Sequence, residues 1–211
     1  MGDKICPLDL VDGQSVKQFY DLDESTRVAL TEAAIAEGRT LMLRWRSLLA
    51  ESTCGWTPRA AAAGQLLSGC RSVADLGCGT MSLERFLAPG TRYQPIDVVA
   101  RDERTIVLDV NAPDMVGFPV ADGVAGLGLL EYVHDVPNLL DQCARTYATA
   151  VFSYNVTDAR DPLSNRLAHA WVNSFTQAEL ESLFVAAAYV IEVREVIDDR
   201  QVMWLLRHSI T

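Results

Sequence analysis

Three aspartates carry the first chemical signal in this 211-residue chain. Asp75 sits inside the apolar run Val73-Ala74-Asp75-Leu76, Asp97 follows Ile96, and Asp109 follows Ile106-Val107-Leu108. An acid at the carboxyl end of a buried strand can face a ligand at the edge of a parallel sheet. A carboxylate accepts hydrogen bonds at two oxygens, which suits the paired hydroxyls of a ribose. Asp97 lies 22 residues after Asp75, the spacing at which an acid closing a second strand meets such a ribose. Between them stand Gly77 and Gly79, one residue apart. Glycines there allow a sharp turn and let a ligand touch bare backbone. A pyrophosphate-binding loop would continue the pattern with a glycine at position 82; the residue there is Ser82, which argues against a dinucleotide dehydrogenase.

The run from Ser72 to Leu87, SVADLGCGTMSLERFL, reads as strand, glycine turn and a helix opening at Ser82. Its core, apolar-apolar-Asp-Leu-Gly-Cys-Gly-Thr, resembles the first motif of the class I S-adenosylmethionine (SAM) dependent methyltransferases. Met81 stands where that family typically has a third glycine. Tyr93-Gln94-Pro95-Ile96-Asp97 resembles the second motif, with Pro95 in place of a glycine, and Thr105 to Asn111 matches the third. Leu130-Glu131-Tyr132-Val133-His134-Asp135 is similar to the fourth, often Leu-Glu-His-Val-x-Asp. The resemblance covers residues 57–207 and implies SAM as cofactor, with S-adenosylhomocysteine as product. It assigns Asp75, Gly77, Cys78 and Gly79 to the cofactor loop and Asp97 and Val98 to the ribose. Asp109 and Val110 go to the adenine, and Leu129 borders the same site. His134 and Tyr132, at the crevice edge, are the candidate catalytic groups; the competing reading is a residue at a helix start bonded to backbone. Tyr154, Asn155, His169 and Trp171 are candidates for the acceptor pocket. No cluster of carboxylates and histidines has metal-ligand spacing.

The elements that must position these residues follow from periodicity. Asp23 to Ala50 reads as one or two helices, with Leu41, Trp45 and Leu48 on one apolar stripe and a break near Gly38. Arg39, Arg44 and Arg46 on that stretch read as a solvated face, or else as a cap whose arginines meet an anionic substrate. A further helix runs from Trp56 to Leu67. Gly123 to Leu130 is apolar on both faces, as a central parallel strand is. Helix Leu139–Tyr147, strand Thr149–Val156, a capping box at Thr176–Glu179 and a hairpin of Val190–Ile197 with Gln201–Arg207 complete the chain. Alternating strands and helices predict a three-layer α/β/α sandwich. The resemblance implies a seven-stranded, mostly parallel sheet of order 3-2-1-4-5-7-6 with strand 7 antiparallel. Residues 1–56 would form an N-terminal helical cap or lid and residues 57–211 the SAM-binding domain.

The formal net charge is −10 and the pI about 4.7. Such a surface repels phosphate backbones, which disfavours nucleic acid as partner. No apolar run reaches the length of a membrane span, and the N-terminus lacks the apolar core of a signal peptide. Five cysteines without a C-x-x-C pair fit reduced thiols, hence a cytoplasmic protein. The sequence thus predicts a methyltransferase acting on O or N of a small-molecule acceptor. A protein or RNA methyltransferase, and a non-catalytic regulatory or scaffold subunit that keeps the fold, are the alternatives. No motif bears on oligomeric state.

Overall fold

The computed structural model describes residues 18–46, 48, 56–113, 115, 117–160 and 165–208. The sheet begins with β1 (Ser72–Leu76), whose five residues are all buried. A strand covered on both faces inside a parallel sheet is mostly apolar, as Val73, Ala74 and Leu76 are, and Asp75 is buried with them. β1 accordingly pairs in parallel with β2 (Arg92–Asp97) on one side and β4 (Gly123–Leu127) on the other. β3 (Ile106–Val107) extends the β2 edge, and β5 (Thr149–Asn155) pairs with β4. β7 (Gln201–His208) joins β5 antiparallel, and β6 (Tyr189–Val196) closes the far edge through the hairpin. The order is β3-β2-β1-β4-β5-β7-β6, as the sequence predicts.

Helices cover both faces. α3 (Thr57–Leu66) packs Ala63 against Val73, Ala125 and Val151 on one side. On the other side lie α4 (Val136–Thr146) and α5 (Gln177–Ala186). α4 buries Val136, Leu139, Leu140, Cys143 and Ala144, an i, i+3, i+4, i+7, i+8 stripe. Asp135 caps it by accepting from the Asn138 N–H at 3.1 Å. α5 begins with the capping box read from the sequence: the Thr176 side chain accepts from the Glu179 N–H, and the Glu179 carboxylate accepts from the Thr176 N–H. Before the sheet, α1 (Glu24–Glu37) is capped by Asp23 and ends at Gly38, and α2 is the single turn Leu43–Arg46. Within the predicted 23–50 helical region the structure thus has two helices up to Arg46, while residues 47, 49 and 50 lie outside the described set, as do residues 1–17.

Two elements differ from expectation, each for a local reason. The helix expected from Ser82 is replaced by turns and the short 3-10 segment Glu84–Phe86. Met81 adopts a left-handed conformation (φ 54°), which turns the chain before a helix can start, and Pro89-Gly90 follows within a few residues. The third strand pairs only over Ile106–Val107. Beyond it the Asp109 side chain accepts from the Asn111 N–H at 2.9 Å and the Ala112 N–H bonds the Asp109 carbonyl. That side-chain turn withdraws the chain from the ladder.

The packing of α5 sets a stability test. Phe184 is fully buried, stacks on Phe152 with ring centres 6.2 Å apart, and meets the Trp204 edge at 5.4 Å. Phe184→Ala is expected to lower unfolding stability by about 3–5 kcal/mol in urea titration. Neighbouring Val185, which is solvent-exposed, is expected to tolerate alanine within about 0.5 kcal/mol. Equal effects at both positions would show that α5 is rotated on the sheet.

Candidate active site

The carboxyl ends of β1, β2 and β4 open onto one cleft, because the strands run parallel and their following loops all leave the same edge. One chamber of about 520 Å³ is walled by Asp97, Val98, Asp109, Val110 and Leu129, with Gly77 at its floor. Its surface is largely apolar between the two acids, the shape and chemistry that a flat heteroaromatic ring with a sugar demands. Asp97 is 4% exposed. Its Oδ1 accepts from the Val99 N–H at 3.0 Å and from Arg101 at 3.1 Å, and its Oδ2 accepts from the Gly79 N–H at 2.9 Å. The Asp109 Oδ1 accepts from the Thr40 hydroxyl at 2.6 Å as well as from Asn111.

The glycine turn holds the second part of the cleft. The Gly77 and Cys78 N–H groups both donate to the Ile96 carbonyl, at 2.8 and 3.0 Å, which ties the loop to β2. Gly77, Gly79 and Met81 all have positive φ. Met81 therefore keeps the backbone shape a glycine would give, at a cost on the order of 1 kcal/mol. Asp75, Cys78, Arg59 and Ser82 line a smaller recess of about 300 Å³ beside this loop. Asp75 accepts a 2.6 Å hydrogen bond from the Tyr93 hydroxyl. Burial pushes its pKa up to about 7, against the lowering effect of that bond. Burial, with the nearby Asp75 and Asp97 charges, raises the Cys78 thiol far above its ordinary range, so it stays protonated. Arg59 enters from α3, and burial pulls its pKa down, opposed first by the Glu131 charge. It reaches the site past Gly128, where a Cβ would come within 2.5 Å of the guanidinium.

A second chamber, of about 610 Å³ with its open mouth, continues from the first. Among its lining residues are Arg44, Trp45, Trp56, Glu131, Tyr132 and Trp171. The Trp45 and Tyr132 rings meet edge-on at 4.6 Å, and the Trp171 Nε1–H donates to the Tyr132 hydroxyl at 3.0 Å. Tyr132 lines both chambers, and burial raises its pKa. The segment joining α1 to α2 roofs the cleft and is fastened to the acids below it. Thr40 donates to Asp109, Asn111 Nδ2 donates to Thr40 at 2.9 Å, and Arg101 bridges the Trp45 carbonyl (3.1 Å) to Asp97.

No family model matches the sequence, and no curated protein matches it. Solved structures do match. Human N-acetylserotonin methyltransferase in complex with SAM has a TM-score of 0.60 at 17% identity, over 87% of this chain and 67% of that one. A mitomycin 7-O-methyltransferase has 0.64 at 14% identity, over 90% and 70%. The Burkholderia thailandensis 1,6-didemethyltoxoflavin-N1-methyltransferase, with its acceptor and S-adenosylhomocysteine bound, has 0.61 at 19% identity, over 94% and 93%. The fold is that of the class I SAM-dependent methyltransferases.

Within that fold, the predicted cofactor residues gather in one place. Asp97, Val98, Asp109, Val110 and Leu129 share the first chamber, Asp75 and Cys78 the recess beside it, and Gly77 and Gly79 lie between. Of the acceptor candidates, Asn155 and Trp171 line the second chamber. Tyr154 is fully buried and bonds Asn173, Arg166 and the Phe175 N–H, so it braces the loop behind the pocket. His169 lies outside the lining residues; its Nδ1 is 3.4 Å from the Tyr20 hydroxyl. Tyr132 faces the cleft, whereas His134 does not line either chamber; its Nε2 lies 3.1 Å from the Arg39 carbonyl and steadies the roof. Arg44, read as part of a solvated face, is 8% exposed with its guanidinium 4.7 Å from the Tyr20 ring and 4.6 Å from Trp45. Arg59, Glu131, Thr40 and Trp56 are site residues that the motifs did not single out. Among the described residues, no three His, Cys, Asp or Glu side chains gather as metal ligands would.

The raised Asp75 pKa has a signed consequence. The folded protein holds this proton up to about pH 7, while an unfolded chain releases it near pH 4. The native state therefore binds more protons in that window, and stability falls as pH rises through it. Asp75→Asn, which cannot ionise, is expected to gain stability relative to the parent between pH 5 and pH 8, by about 3 kcal/mol. Parallel urea curves at both pH values check this; an unchanged difference would show that Asp75 ionises freely.

Proposed function

We propose that the chain is a SAM-dependent methyltransferase that moves a methyl group to O or N of a small molecule. The observation that carries this reading is the pair of acids, Asp97 and Asp109, on either side of one apolar slot with the glycine turn as its floor. The residues fit the cofactor group by group. Asp97 Oδ2 has one bond, from Gly79, and a carboxylate oxygen has a second lone pair to offer a ribose hydroxyl. Its other oxygen is filled by Val99 and Arg101, so this acid is pre-set to take the sugar on one side only. Asp109 spends Oδ1 on Thr40 and Asn111, which leaves Oδ2 for the adenine amino group. Val98, Val110 and Leu129 supply apolar contact to the ring. Arg59, beside the glycine turn and without a described carboxylate within 4.0 Å, suits the carboxylate of the amino-acid tail.

When bound, SAM supplies an electrophilic methyl carbon that already carries its leaving group. The task left to the protein is to hold an acceptor in line and to exclude water. The Trp45–Tyr132 pair lines both chambers and stands where they meet. A base is required only for an acceptor that is protonated at the working pH. His134, tied to the roof, and Tyr132, with its pKa raised, are placed for support and for shaping the passage rather than for taking a proton. The fold's shallow identity to its structural relatives leaves the acceptor to the chamber's own chemistry. No described helix is long and apolar enough to cross a membrane, and a cytoplasmic small-molecule enzyme is the setting that fits this reading.

Calorimetric titration tests it. The protein is expected to bind S-adenosylhomocysteine, and to bind 5′-methylthioadenosine, which lacks the amino-acid carboxylate, more weakly. Asp97→Asn should weaken both ligands by about 1.5–3 kcal/mol, roughly ten- to 150-fold. Arg59→Met should weaken S-adenosylhomocysteine alone and erase the preference. A folded protein that binds neither ligand contradicts the proposal.

A further inference from the structure

The second chamber carries charges that the cofactor does not account for. The chain as a whole has a net charge of −10, yet two arginines, Arg44 and Arg59, line this space, and two more, Arg27 and Arg166, stack on its lining residues Tyr20 and Trp171. Among the described residues none of the four lies within 4.0 Å of a carboxylate. They are held instead by ring faces and carbonyls. Arg44 is sandwiched between Tyr20 and Trp45, Arg166 lies 4.5 Å over Trp171 and donates to the Asn155 carbonyl at 2.7 Å, and Arg27 lies 5.3 Å over Tyr20. The Arg166 edge is taken by the Asn155 and Asn173 carbonyls and the Tyr154 hydroxyl, whereas Arg44, stacked by its faces, keeps its edge for an in-plane oxygen pair.

Among the residues that line the chamber, two buried polar atoms have no partner. One is the Nε of Arg44, a residue 8% exposed; the other is Oε2 of Glu131, a residue 1% exposed. Glu131 is held rigidly by its other oxygen, which accepts from the Asn155 N–H at 2.9 Å and from Asn155 Nδ2 at 2.8 Å. Buried groups without hydrogen bonds are costly and call for a ligand that completes them. One needs an acceptor oxygen, the other a donor hydrogen. Arg44 comes from the cap and Arg59 from the floor beside the glycine turn, so the two cations serve different ends of the cleft. Around the unpartnered atoms stand the flat faces of Trp45, Tyr132 and Trp171.

Resting on the methyltransferase reading, we propose that this chamber is the acceptor site and that it takes a planar aromatic acid bearing a hydroxyl or amine. The ring lies among Trp45, Tyr132 and Trp171. The carboxylate, or an equivalent oxyanion, meets the Arg44 guanidinium. The hydroxyl or amine donates to Glu131 Oε2, which fixes the orientation of the group to be methylated. Cationic amines are disfavoured by the unpaired arginines. The aromatic faces likewise select against sugars lacking an apolar ring face.

Binding, rather than turnover, tests this. With S-adenosylhomocysteine saturating, the protein is titrated with 3-hydroxybenzoate, 4-hydroxybenzoate and 6-hydroxy-2-naphthoate. The comparison ligands are phenol and 2-naphthol, without the carboxylate, and benzoate and 2-naphthoate, without the hydroxyl. At least one hydroxy acid is expected to bind tenfold or more tightly than both of its truncated partners, with quenching of tryptophan fluorescence. Arg44→Gln should abolish the preference over the phenol while leaving S-adenosylhomocysteine affinity unchanged. Glu131→Gln should abolish the preference over the plain acid; if that variant fails to fold, Arg44→Gln decides alone. Equal binding of acids and phenols, or no binding of any ring by protein that holds S-adenosylhomocysteine, overturns the proposal and leaves the cofactor assignment standing. Selective binding of a hydroxy acid by protein that holds no S-adenosylhomocysteine would instead overturn the methyltransferase reading.

Discussion

The site depends on the fastening of the Arg39–Arg46 segment across the carboxyl edge of the sheet. Thr40 is bonded to Asp109, the Arg39 carbonyl to His134, and the Trp45 carbonyl to Arg101, which also holds Asp97. These contacts link residues more than fifty positions apart, and each uses a group that also borders or braces the cleft. They convert a short helical turn, too small to be stable alone, into a fixed roof. Its two most consequential side chains, Arg44 and Trp45, are aimed inward as a result. Removing the roof would leave Asp97 and Asp109 facing water, where a hydrogen bond to a ligand gains far less than in a closed slot.

The same economy of contacts appears in the glycine turn. The Gly77 and Cys78 N–H groups hold the Ile96 carbonyl while the Gly79 N–H reaches the Asp97 carboxylate. The loop after β1 and the end of β2 thus form one rigid unit. Met81 takes a conformation that favours glycine, which shows that this unit, and not the residue's own preference, sets the backbone. The absence of a third glycine therefore does not alter the loop's course. The chain then continues in turns and the 3-10 segment Glu84–Phe86.

Much of this was legible in the sequence. The mostly apolar runs at 72–76, 123–127 and 149–155 read as strands of a sheet covered on both faces, and the hairpin and capping box gave the closing pattern. The acids Asp75, Asp97 and Asp109 were legible because each interrupts or ends such a run. Three things were not. Arg59 sits in an alanine-rich helix where an arginine ordinarily means a solvated face. For Arg44 the pattern leaves a solvated face and a cap over the site both open, and only the roof's long-range fastening turns it inward. Glu131 stands beside Tyr132 and His134 in one motif that does not rank the three, yet the carboxylate is the group with an unsatisfied oxygen. Local pattern reports burial and element type; it does not report which of several polar residues a distant segment will enclose.

The most direct measurement is a crystal structure of the protein grown with S-adenosylhomocysteine. The account expects the ribose at Asp97 Oδ2, the adenine amine at Asp109, and the amino-acid carboxylate at Arg59, with the Arg39–Arg46 roof closed and the Arg44–Glu131 chamber still open beside the sulfur. A nucleoside bound elsewhere, or one that enters the slot with its sugar away from Asp97, would contradict it.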